Sequence, residues 1–196
     1  SNQAVPFPTA NWDKNGNPKT HFFGEKMHQS NGYTWRHTVH ETLYPLAGVV
    51  EKVAWCSDLQ IHHHADDTKS RRQYLSLLEL ATKEDPASDR CAHYFGRELM
   101  FRHEYDAAIR ELQRHLSLSN ATWKAERAAS WRFIAYCHKK MDRLSEARSA
   151  LLQSCAEAPL ARETWYELAK FCLEQKDWAG GVSAARRALD ITEMPR

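Results

Sequence analysis

A chain of 196 residues, 42% of them hydrophobic, has enough apolar side chain for one large domain or a smaller one with an appendage. A formal net charge of +2 removes the electrostatic case for a nucleic-acid partner, and no run of about 18 apolar residues marks a membrane span. The five cysteines, at positions 56, 91, 137, 155 and 172, are widely spaced and form no Cys-x-x-Cys, which predicts buried thiols in a reducing, cytoplasmic setting.

The first third is rich in turn formers and holds seven of the eleven histidines. Residues 5–24, "VPFPTANWDKNGNPKTHFFG", carry Asn15-Gly16 and Asn17-Pro18 and read as loops and turns. "GYTWRHTVHETLYPLAG", residues 32–48, has short apolar pieces broken by Pro45. "VVEKVAWCSDLQIHHH" predicts one strand near 49–55 and another near 58–63. In the second strand Leu59, Ile61 and His63 share a face, with His62 and His64 on the other. Asp66 and Asp67 follow, so the stretch poses a metal-site question.

From about Ser70 the pattern becomes helical. Residues 70–85 form one amphipathic helix closed by Pro86, and three helix pairs follow at about 89–119, 126–158 and 161–193. The pairs repeat. Gly96, Ala135 and Ala169 are each followed twelve residues later by a small residue (Ala108, Ala147, Gly181) and nine residues later by a large one (Tyr105, Leu144, Trp178). The small residues let the two helices of a pair approach closely, and the large ones fill the space between pairs. The offset is 39 residues between the first two units and 34 between the last two, the extra five falling in "LSNATWKAE". This spacing resembles the tetratricopeptide repeat over about residues 89–193, with Trp131 and Trp165 at the large position of the first helix and Pro159 at the terminating position. The first unit departs from it, with Ala92 for the aromatic and Asn120 for the proline. The expected fold is mainly α: a tetratricopeptide-like right-handed α-solenoid, residues 70–196, behind a short loop- and strand-containing segment. Such solenoids commonly bind proteins or peptides on a concave face. Lys124, Arg127, Arg132, His138, Lys139 and Lys140 make one local basic patch, which solubility explains equally well.

The N-terminal motifs carry a second resemblance. Gly32, Tyr33, Trp35, Val39, His40 and Glu41, followed by Ile61 and His63, resemble the end of the catalytic domain in bacterial family 2 glycosyltransferases, some of which continue directly into tetratricopeptide-like repeats. The resemblance implies that residues 1–69 are the tail of such a domain. The parent enzyme would move a sugar from a nucleotide-sugar donor to an acceptor, and this chain, lacking the donor-binding half, would be inactive alone. It further implies His63 as a ligand to a Mn or Mg ion present only in the full-length enzyme, Trp35 as a sugar-stacking ring, and His40 and Glu41 near the acceptor. The alternative is a non-enzymatic protein-interaction module. A zinc site built from His37, His40 and the 62–64 cluster is a further possibility, although no cysteine joins it.

Overall fold

The computed structural model describes residues 3–12, 17–28, 30–37, 39, 41–54, 56, 58, 60–64 and 72–192. It divides into two compact units, Ser1–Gln73 and Tyr74–Arg196.

In the first unit, β1 (Gln3–Trp12) and β2 (Pro18–Met27) form an antiparallel hairpin. β3 (Tyr33–Arg36) and β4 (Thr42–Pro45) form a separate two-stranded sheet, with Trp35 opposite Leu43. β5 (Lys52–Val53) and β6 (Ile61–His64) both pair parallel with β1, at Gln3–Ala4 and Thr9–Trp12 respectively. The loop reading of residues 5–24 is thereby corrected: most of that stretch is strand. Pro6 and Pro8 are unusual inside a strand, since proline cannot donate to a ladder. They fall where neither β5 nor β6 pairs with β1, so on that edge no partner needs their missing N–H. A register shift between Val5 and Pro6 marks the same place. The Asn15-Gly16 turn signal lies between the two strands, in 13–16, outside the described residues. The strand expected near 49–55 shrinks to Lys52–Val53, and Val50 is largely exposed.

The second unit holds α1 (Arg72–Glu84, from its third residue), α2 (Asp89–Phe101), α3 (Tyr105–Ser117), α4 (Lys124–Lys140), α5 (Leu144–Glu157), α6 (Arg162–Glu174) and α7 (Trp178–Asp190). Helices α2/α3, α4/α5 and α6/α7 are hairpins with three-residue turns. Each turn is built alike. His103, Asp142 and Lys176 adopt left-handed φ of 64°, 58° and 61°. The next residue returns its N–H to a carbonyl five back: Glu104 to Leu99, Arg143 to His138 and Asp177 to Cys172, at 2.9–3.0 Å. This is the six-to-one closure that satisfies the last carbonyls of a helix. At helix starts, Ser88 Oγ accepts from Cys91 N–H and the Asp177 carboxylate accepts from Gly180 N–H.

Packing follows the small-residue register. Ala108 and Ala147 are fully buried and Ala135 nearly so. A methyl on Gly96 would stand 2.6 Å from Leu112 Cγ, so α2 and α3 touch there without room for a side chain. Leu99, Leu112, Ile134, Leu151, Leu168 and Phe171 run as one continuous core along the stack. The terminating positions are bonded as well: Trp165 Nε1 donates to Pro159 O at 2.9 Å, and Asn120, at the equivalent of Pro159, donates to Ala87 O at 2.9 Å.

Candidate partner-binding groove

Ala135 on α4 and Ala169 on α6 each line an opening of the surface. Around Ala135, helices α4 and α6 leave a cavity of about 270 Å³ lined by Met100, Arg132, Phe133, Tyr136, Lys139, Leu151, Glu167, Lys170 and Phe171. The exposed lining repeats with the 34-residue period: Arg132 and Tyr136 on α4 occupy the positions of Tyr166 and Lys170 on α6. Tyr136 is 40% exposed. Its ring lies 6.5 Å from Tyr105, edge to face, and Lys140 Nζ sits 5.4 Å above it. The floor is apolar and the rim carries three cations against one carboxylate. Lys139 is committed to Glu174 on the neighbouring helix, and Lys170 lies 4.0 Å from Glu167. Among the described residues Arg132 has no ion-pair partner.

The basic patch expected from the sequence separates into parts. Lys124 and Arg127 both bond Glu157, at 2.7 Å, so they belong to the α4–α5 contact. Arg132 and Lys139 turn to the groove. Sequence reasoning named those two and missed Tyr136 and Lys170, whose signal was the 34-residue spacing applied to the polar face of the first helices, and Phe171, a buried core residue of α6.

The residues singled out in the N-terminal motifs lie in the first unit. Trp35, on β3, is 65% exposed and meets His28 edge to face at 6.2 Å. Glu41 is exposed just before β4, and His40 lies outside the described residues. His63 is on β6, opposite Asn11 of β1, so the Ile61-x-His63 motif is on a strand as expected. His62 and His64, both exposed, take the other face of that strand. Trp35 and His63 belong to different sheets. His37, a candidate in the zinc reading, has left-handed φ and its Nε2 is 3.3 Å from the Tyr44 hydroxyl. Among the described residues the one convergence of three ligand-type side chains is elsewhere, at His93, His115 and Glu126.

Four of the five cysteines are buried and all five are free thiols, Cys56 being half-buried. Burial pushes the Cys137 thiol up to about 12 and raises Cys155 and Cys172 above the ordinary thiol range. None of these three is a thiolate nucleophile at neutral pH.

No family model matches the chain, and no curated protein matches it. Solved structures do. A crystal structure of MamA aligns over 60% of this chain and 66% of its own, at 16% identity and a TM-score of 0.51. MamA from Desulfovibrio magneticus RS-1 aligns over 61% and 65%, at 12% identity and 0.52. PilF of Pseudomonas aeruginosa aligns over 61% and 53%, at 12% identity and 0.52. The chain thus spans between about half and two thirds of the length of these proteins, and the likeness at such identities is one of fold. No helix among the described residues is long and apolar enough to cross a membrane. With its repeated hairpins and small-residue contacts, the helical unit has the tetratricopeptide-type solenoid fold.

Proposed function

We propose that the chain is a protein-interaction module whose α4–α6 groove takes an extended or helical segment bearing acidic and apolar side chains. The observation that carries this reading is the open groove itself, with an apolar floor of Phe133, Phe171 and Met100, an exposed Tyr136, and the cations Arg132 and Lys170 at its rim. The tetratricopeptide-type neighbours support a protein partner on fold grounds. A displayed library of short peptides, selected on the purified chain, tests it. Selected peptides are expected to carry Asp or Glu beside an aromatic or leucine, and to lose at least tenfold in affinity to an Arg132→Glu/Lys170→Glu variant. Enrichment without acidic residues, or binding indifferent to the double reversal, would overturn the reading.

A second reading keeps the first unit as the tail of a nucleotide-sugar transferase, with Mn or Mg near His63, Trp35 against the sugar, and His40 and Glu41 toward the acceptor. What favours it is that Ile61 and His63 do lie on a strand; the comparisons add nothing to it, and the interaction module accounts for more of the chain. On this second reading the 196-residue chain alone turns over no UDP- or GDP-sugar, and His63→Ala abolishes metal-dependent transfer once a donor-binding domain is joined to it. Transfer by that joined protein with equal, small effects of His62→Ala, His63→Ala and His64→Ala would remove the assignment of His63.

A further inference from the structure

The joint between the first and second helix pairs contains a buried polar cluster that the interaction reading does not use. His93 (α2) is 5% exposed, while His115 (α3) and Ser130 (α4) are at 0%. Ser130 Oγ lies 2.8 Å from His93 Nδ1 and 2.9 Å from His115 Nδ1. The two rings stand 5.3 Å apart. Glu126, one turn before Ser130 on α4, brings Oε1 to 3.5 Å from His115 Nε2. That nitrogen has no hydrogen-bond partner, although it is fully shielded from solvent.

Three observations bear on what the cluster is for. The first is the 3.5 Å separation. It is long for an N–H···O hydrogen bond, which centres near 2.9–3.0 Å. It is close to the edge of a tetrahedron whose centre is a zinc ion, since Zn–N and Zn–O bonds of about 2.0–2.2 Å subtend an N···O edge of roughly 3.4 Å. One ligand nitrogen from each histidine and a Glu126 oxygen all lie within 4.8 Å of one another. The second is the role of Ser130. A hydroxyl has one hydrogen, so at least one of the two Nδ1 atoms must donate to its oxygen. With both donating, both Nε2 atoms present bare lone pairs, and Ser130 becomes the outer-shell group that fixes tautomer and ring orientation.

The third is the next joint along the stack. There the repeat spacing puts Ser154 where the first joint has His115, Thr164 for Ser130 and Arg132 for His93, while Leu160, at the spacing of Glu126, is exposed in the turn before α6. Ser154 Oγ bonds Ala128 O at 2.9 Å and Thr164 Oγ1 bonds Ala161 O at 2.8 Å, each satisfied by backbone. The fold therefore closes an equivalent joint without histidine or carboxylate. The first joint is also the one interrupted by the five extra residues before α4.

We infer that His93, His115 and Glu126 bind a zinc ion that staples the first helix pair to the second, with Ser130 orienting both imidazoles. Two imidazoles and one carboxylate suit a borderline ion such as zinc and not Mg or Ca, which prefer all-oxygen sites. The test uses the purified chain freed of metal by chelation, titrated with Zn²⁺ by calorimetry and followed by thermal melting. The histidines at 62–64 are replaced by alanine to remove an independent metal-binding surface. One zinc per chain is expected, with a rise in Tm, no response to Mg²⁺, and with Co²⁺ the intense visible absorption of a four-coordinate site. Glu126→Gln should weaken zinc binding at least tenfold. The His115→Ser/Glu126→Leu variant takes at two ligand positions the residues found at the same spacing in the next unit; it is expected to fold and to show no zinc-dependent Tm shift. Absence of zinc binding by the parent chain, or binding undiminished in the His115→Ser/Glu126→Leu variant, would overturn the proposal.

Discussion

Two glycines at small-residue positions, one on the first helix of its pair and one on the second, have opposite prospects. At Gly96 a Cβ would lie 2.6 Å from Leu112 Cγ and 3.2 Å from Leu112 N. Leu112 is fully buried and cannot retreat. Gly96→Ala should therefore destabilise the chain by about 1–3 kcal/mol through overpacking, despite alanine's better helix propensity. At Gly181 the nearest atoms are Ala169 O at 3.6 Å and Cys172 Cβ at 3.7 Å, ordinary contacts. Gly181→Ala should gain up to about 1 kcal/mol from propensity and reduced unfolded-state entropy. Chemical denaturation midpoints of the two variants check both signs. The register of these positions was legible in the sequence, because small residues recur at one spacing. Which glycine truly has no room was not, because that depends on the neighbour's rotamer.

At the scale of elements, Arg127 and Glu157 hold three pieces together. Arg127, near the start of α4, donates to the Leu116 and Ala121 carbonyls at 2.9 and 3.2 Å and to Glu157 at the end of α5 at 2.7 Å. It thus ties the end of α3 and the inserted loop to the second pair. The Arg127 hydrogen bond, with help from Lys124 and against partial desolvation, holds the Glu157 carboxyl below its ordinary value of 4.5. A depressed carboxylate pKa contributes stability that is fully present above the unfolded value and is lost as pH falls through the folded one. Glu157→Gln should cost about 1–2 kcal/mol at neutral pH, and the gap to the parent chain should narrow as pH falls below the ordinary carboxyl value of 4.5. Thermal melts from pH 7 to 3 measure it; a gap constant over that range would remove the charge from the explanation. The sequence showed the basic residues of α4 as a patch. It did not show their partners, which come from helices some thirty residues away.

For the whole molecule, the solenoid makes a prediction about its thiols. Cys91, Cys137, Cys155 and Cys172 sit in the helical stack, buried, and Cys56 is half-buried in the first unit. Iodoacetamide in native buffer should label Cys56 first and the four helical thiols only as fast as the stack opens, which peptide mass spectrometry resolves; prompt labelling of Cys137 would contradict its burial. The helical half was readable because a repeat protein is built from contacts between sequence neighbours: the spacing of Gly96, Ala108, Ala135 and Ala147 already contains which helices touch. The first unit was less readable. Pro6 and Pro8 look like turn residues until the parallel pairing of β1 with β5 and β6 shows the open edge they occupy. The sequence by itself determined the number of helix pairs and their close-packing positions, since these follow from local periodicity. Only the tertiary structure decided that residues 9–12 pair with 61–64, that Arg132 and Lys170 share a groove, and that His93, His115 and Glu126 meet. Those meetings depend on how strands and helices cross one another, and no local pattern of residues encodes a crossing.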